Sequence, residues 1–118
     1  MQGTHGLVAW EILLVDGDSN RAQQLTGPLQ QRGLFIEQCH EVRNAVHRLR
    51  QRAGRYALVI VNISDSSRPW DLIFQDLQEA AAKSSHQGPF FLGISRRRKS
   101  LQFQLMLERK GVRLAYEI

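Results

Sequence analysis

The stretch ALVIVNISD, Ala57 to Asp65, decides the reading of this chain. It is the most continuously apolar run in the sequence, and it ends abruptly in Asn62, Ser64 and Asp65. Val, Ile and Leu without alternation, in a run too short for a helix, are expected of a strand covered by helices on both faces. In an open parallel sheet, ligands bind beyond the carboxyl ends of the strands, which places any function near Asn62.

Outward from that strand the pattern alternates. Val8 to Val15 contains a strand that stops at the turn and cap residues Asp16-Gly17-Asp18-Ser19-Asn20. From Asn20 to Arg32, Ala22, Leu25 and Leu29 recur at helical spacing, Gly33 is a stop, and Gly27-Pro28 is expected to kink the helix. Leu34 to Cys39 reads as a second strand. The following helix carries Val42, Ala45, Val46 and Leu49 on one face and Arg43, Arg48, Arg50 and Arg52 on the other. Beyond the central strand, Pro69 opens a helix whose Leu72, Ile73, Leu77 and Ala80 or Ala81 face a core. Pro89 to Ser95 is a fourth strand. Leu101, Leu105 and Met106, with Phe103 or Leu107, mark a fourth helix that stops at Gly111, and Val112 to Ile118 is a fifth strand. Five strands and four helices joined by short connections predict a parallel sheet with right-handed crossovers.

The 118 residues suit one domain with a real core, preceded by a loose leader at Met1 to Leu7. Neither a signal peptide nor an apolar run of the roughly 20 residues that spanning needs is present, so a soluble, cytoplasmic protein is expected. Sixteen Lys plus Arg against 11 Asp plus Glu give a formal charge of +5, which raises the question of acidic partners. Cys39 is alone, so no internal disulfide forms; it reads as a small buried side chain at a strand end. His5, His40, His47 and His86 are scattered and read as surface residues rather than zinc ligands.

The carboxyl ends of the first, third and fourth strands offer Asp16, Asp18, Asn62 and Ser95, a polar crevice of two carboxylates, an amide and a hydroxyl. Carboxylates at a strand end with further oxygens can hold an octahedral cation such as Mg²⁺. Asp-Gly-Asp-Ser is equally an ordinary turn and helix cap.

In order and spacing, ILLVDGDSNRAQQLTGPLQQRG, ALVIVNISDSSRPWDLI and PFFLGIS resemble the first, third and fourth strands, with their following segments, of the response-regulator receiver domain. The resemblance runs from Glu11 to Ile118. It implies a flavodoxin-like, doubly wound sheet of order 2-1-3-4-5 and a role in two-component signalling. It also implies a phosphoryl acceptor aspartate after the third strand, Mg²⁺ held by an acidic pair after the first, a hydroxyl residue after the fourth, and a lysine near the fifth.

Carried over position by position, Asn62 stands at the acceptor. An amide cannot form an acyl phosphate as a carboxylate does. Asp16 matches the first acid, Gly17 replaces the second, and Asp18 matches the acid that often follows. Ser95 matches the hydroxyl, and Tyr116 the aromatic switch. No Lys occurs from Val112 to Ile118, and the chain stops before a fifth helix could form. The resemblance therefore implies a degenerate receiver, or pseudo-receiver, the front part of a longer protein, acting without catalysis, cofactor or Mg²⁺. Its expected partners are a second copy and an attached output domain that reaches DNA only indirectly. Exposure of Leu105, Leu114 and Ile118 beside the absent fifth helix is expected to drive self-association.

Two alternatives follow from the residues. Arg96, Arg97, Arg98 and Lys99 at the crevice mouth could serve an anion- or nucleic-acid-binding module. Asp65 could act as a substitute acceptor. An enzyme is disfavoured, because GxGxxG, GxxxxGK[ST] and a nucleophile elbow are all missing.

Overall fold

The computed structural model describes residues 11–63, 69–84 and 88–116, and all statements below concern these. The order is β1 (Glu11–Val15), α1 (Ser19–Gln31), β2 (Phe35–Cys39), α2 (Val42–Arg52), β3 (Tyr56–Asn62), α3 (Trp70–Ser84), β4 (Phe90–Ser95), α4 (Leu101–Arg109) and β5 (Val112–Tyr116). The strands form one parallel sheet, β2-β1-β3-β4-β5, as the alternation predicts. Residues 1–10, 64–68 with Ser64 and Asp65, 85–87 with His86, and 117–118 with Ile118 lie outside the described residues.

The unalternating runs of β1 and β3 are explained by two cores. On one face Leu13, Val15, Val59, Val61 and Phe91 meet Ala45, Leu49, Ile73, Phe74, Leu77 and Leu107 of α2, α3 and α4. On the other, Ile12, Leu14 and Ile60 meet Ala22, with Leu25, Leu29, Leu92 and Ile94 packed around them. Burying each such aliphatic side chain contributes about 1.5–3 kcal/mol.

Local signals set the helix ends. Asp18 caps α1 by accepting from the Asn20 and Arg21 N–H groups at 3.0 and 3.1 Å. Gly33, at φ 85°, closes it, with its N–H on Gln30 O and that of Leu34 on Leu29 O. Pro28 is accommodated in the last turn. Ser100 caps α4 through the Phe103 N–H at 3.1 Å.

Three assignments differ from the sequence reading. Leu72 is largely exposed, because the buried stripe of α3 runs Ile73, Phe74, Leu77, Ala80, Ala81, and Leu72 lies about 100° around the helix from Ile73. On α4 the inward residues are Phe103, Met106 and Leu107, which leaves Leu101 69% and Leu105 43% exposed. Leu114 packs against the core under α4, and the large apolar residues left open on the sheet are Phe35 and Phe90, 61% and 79% exposed.

Candidate functional site

Parallel pairing brings the strand ends to one edge. Val15 lies beside Cys39 and Val61, Asn62 beside Ile94, and Ser95 beside Tyr116. Two adjoining hollows open there, each of about 400 Å³, and both are lined by Asp16, Asp18, Arg21 and Asn62. Arg96 closes one side, and Gly17 and His40 the other.

Asp16 is the centre of the crevice. Its side chain is only 3% exposed, and both oxygens are engaged. Oδ1 accepts the Asp18 N–H at 2.9 Å and Arg21 Nη2 at 2.6 Å; Oδ2 accepts Arg21 Nε at 2.9 Å. A two-point guanidinium–carboxylate contact is among the strongest polar interactions available to side chains. Breaking such a pair when buried typically costs about 3–5 kcal/mol, since the remaining charge is stranded. Asp18, by contrast, is exposed and holds the helix cap.

The expected site residues separate into two groups. Asp16, Gly17, Asp18, Asn62 and Arg96 come together around the crevice. Ser95 does not open into it: its buried hydroxyl donates to Arg97 O at 2.8 Å and accepts the Arg97 N–H at 3.2 Å. Arg97 and Arg98 do not line it either, and Arg98 lies over the Tyr116 ring at 5.3 Å. Asp65 lies outside the described residues. Among the described residues no cluster of three or more His, Cys, Asp or Glu is placed to hold a metal ion.

Beside the crevice lies a cluster that motif reading does not find. Lys99 Nζ sits 5.1 Å from the Trp70 ring and 5.7 Å from that of Phe103, and the two rings meet edge to face at 4.9 Å. The Lys99 N–H donates to Tyr116 Oη at 3.2 Å. The start of α3, the β4–α4 loop, the first turn of α4 and the end of β5 are thereby tied together. The basic face assigned to α2 is also divided: Arg48 and Arg52 turn onto Glu37, while Arg43 and Arg50 remain exposed. Cys39 is buried, and that burial pushes its thiol pKa up.

Arg21 is the crevice residue that sequence reasoning missed. Its signal was present, because a cation in the first turn opposes the helix dipole and needs a carboxylate to justify it. Asp16 supplies that carboxylate.

No protein-family model and no curated relative matches the sequence. Solved structures do match. A two-component response regulator from Clostridium difficile aligns with a TM-score of 0.71 and 19% identity over 92% of this chain and 82% of its own. A pilus assembly-related protein from Burkholderia pseudomallei gives 0.71 and 17% over 92% and 78%, and the receiver domain of NtrC4 from Aquifex aeolicus gives 0.65 and 14% over 87% and 78%. At such identities the likeness is one of architecture: the chain has the fold of response-regulator receiver domains.

Proposed function

We propose that this chain is a pseudo-receiver: a receiver-type module of two-component signalling that works without aspartyl phosphorylation. It is not an enzyme, and it acts by contacts with protein partners, including a second copy of itself. Through these it regulates an attached output domain, which in a cytoplasmic transcription regulator would be the part that meets DNA. The observation that carries this reading is the pair of residues at the strand-end crevice, Asn62 at the acceptor position and Asp16 held by Arg21. An amide offers no carboxylate nucleophile, and the neighbouring acid has no oxygen free of strong donors.

The nucleic-acid alternative draws less support from the geometry. Arg98 and Lys99, two of the four cations it relies on, lie over aromatic rings of the chain itself. No helix among the described residues is long and apolar enough to cross a membrane.

Incubation with a small acyl phosphate and Mg²⁺, followed by intact-mass measurement, tests the proposal. The expected result is an unchanged mass. An acid-labile gain of one phosphoryl group, on Asp65 or elsewhere, would overturn it.

A further inference from the structure

The receiver fold implies a divalent cation beside the first strand, and the residues present here do not fit one. Mg²⁺ takes a near-octahedral set of oxygens at about 2.0–2.1 Å. Asp16 Oδ1 and Oδ2 are both covered by Arg21, and Oδ1 also by the Asp18 N–H. Asp18 Oδ1 is spent on the Asn20 and Arg21 N–H groups, and Gly17 contributes no side chain. A dication at Asp16 would have to displace donors of a guanidinium bound at two points, because both carboxylate oxygens already accept its N–H groups.

We infer that Arg21 is the resident cation of this crevice, a tethered guanidinium standing where an exchangeable metal would otherwise be needed. The charges support this. Two acids balance a dication; one buried acid balances one guanidinium, and among the described residues Asp16 is the one buried acid of the crevice. The reduction to one acid is not forced by space, since a Cβ on Gly17 would meet only the His40 carbonyl, at an ordinary 3.6 Å. Arg21 is itself well covered, at 11% side-chain exposure, so its charge is committed to the crevice rather than to solvent.

The consequence is a β1–α1 loop whose shape does not depend on divalent cations. Asp16 stays paired with Arg21, and the Asp18 N–H stays docked on it, at any Mg²⁺ concentration. This concerns the cation at Asp16 and stands apart from the missing nucleophile at Asn62: a phosphorylated residue elsewhere would leave it intact, and a metal bound at Asp16 would leave the phosphorylation reading intact.

Mn²⁺ titration of the isotope-labelled 118-residue chain tests it, reading selective broadening of the amide signals of Asp16 to Asn20 and Asn62. Melting is followed in parallel in Mg²⁺ and in chelator. For the wild type the expected result is no selective broadening at millimolar Mn²⁺ and identical melting temperatures. Arg21→Gln, which uncovers the carboxylate, is expected to gain both the broadening and a melting temperature several degrees higher in Mg²⁺. Selective broadening or Mg²⁺ stabilisation in the wild type overturns the inference, as does a folded Arg21→Gln protein that ignores both ions. If Arg21→Gln fails to fold, Asp16→Asn/Arg21→Gln removes both charges. Wild type and double variant are then expected to be equally indifferent to the ions, and a response by the wild type alone overturns the inference.

Discussion

The Tyr56 hydroxyl donates to Glu37 Oε2 at 2.7 Å, joining the start of the central strand to the edge strand through a carboxylate that also receives Arg48 and Arg52. Burial raises the Glu37 pKa, but the Tyr56 hydrogen bond and the two guanidinium charges outweigh it, and the net shift is downward from 4.5. Burial, then the hydrogen bond and charge of Glu37, push the Tyr56 phenol up from 10.0 to about 12. A phenol raised in the folded state contributes stability that is complete below the unfolded value and lost as pH climbs through the folded one. Unfolding free energy is therefore expected to fall by up to roughly 2–3 kcal/mol between pH 10 and pH 12 from this group. Urea titrations of wild type and Tyr56→Phe across that window check it. The variant should lose about 1–2 kcal/mol at neutral pH and show the shallower alkaline decline. Equal slopes would exclude Tyr56 as the source.

Gly93 in β4 makes a different kind of contact. A Cβ there would come within 3.2 Å of Phe74 Cζ and 3.5 Å of a Leu114 methyl, so the absence of a side chain lets the fully buried Phe74 ring lie against the sheet. Gly93→Val is expected to cost about 1–3 kcal/mol by overpacking. Gly93→Ala should cost less, because Ala restricts the unfolded chain. In Phe74→Leu the Val substitution should be milder, and a double-mutant cycle by chemical denaturation would show that coupling. Strict additivity would mean that the ring is not what resists.

These contacts mark where sequence reading succeeds and where it stops. The run through Val59, Ile60 and Val61 was legible as a two-face-buried strand because hydrophobic burial acts residue by residue. Asp18, Gly33 and Gly111 were legible stops and caps, since their effect is local. The helical faces were less secure: on α4 the choice between a stripe through Leu101 and Leu105 and one through Phe103 and Leu107 depends on where the sheet lies. Strand order brings Asp16, Asp18 and Asn62 to one crevice, but it does not give the partner that Asp16 takes there. Arg21 on Asp16, Ser95 folded onto Arg97 and Lys99 between two rings are side-chain choices among partners that converge only after the chain has folded.

The outward leucines of α4 bear on association. Leu101 and Leu105 are one turn apart, and with Met106, Arg109 and Lys110 the second of them lines a shallow, largely apolar hollow. If a second copy binds this face, sedimentation of the wild type should show a weight-average mass that rises with concentration. Leu101→Glu/Leu105→Glu should remain monomeric at unchanged stability, since both residues already face solvent. A concentration-independent wild-type monomer would remove this face as the contact.

The clasp of Lys99 by Trp70 and Phe103 provides the last prediction. A cation over an aromatic face contributes about 0.5–1 kcal/mol where partly exposed and more where desolvated; Lys99 is half-buried and meets two rings. Lys99→Gln is expected to destabilise the fold by about 1 kcal/mol, Lys99→Arg by less, and Lys99→Gln combined with Trp70→Leu by less than the sum of the single effects. The backbone bond to Tyr116 supplies a separate readout, because it ties the β4–α4 loop to β5 without using the Lys99 side chain. In Tyr116→Phe the Lys99 amide loses its acceptor, and its hydrogen exchange should speed up while that of the neighbouring Phe103 amide, held by Ser100 Oγ, stays slow. Faster exchange at both sites would mean that Tyr116 holds the whole first turn of α4. Unchanged exchange at Lys99 would show that the loop is positioned by the aromatic clasp alone.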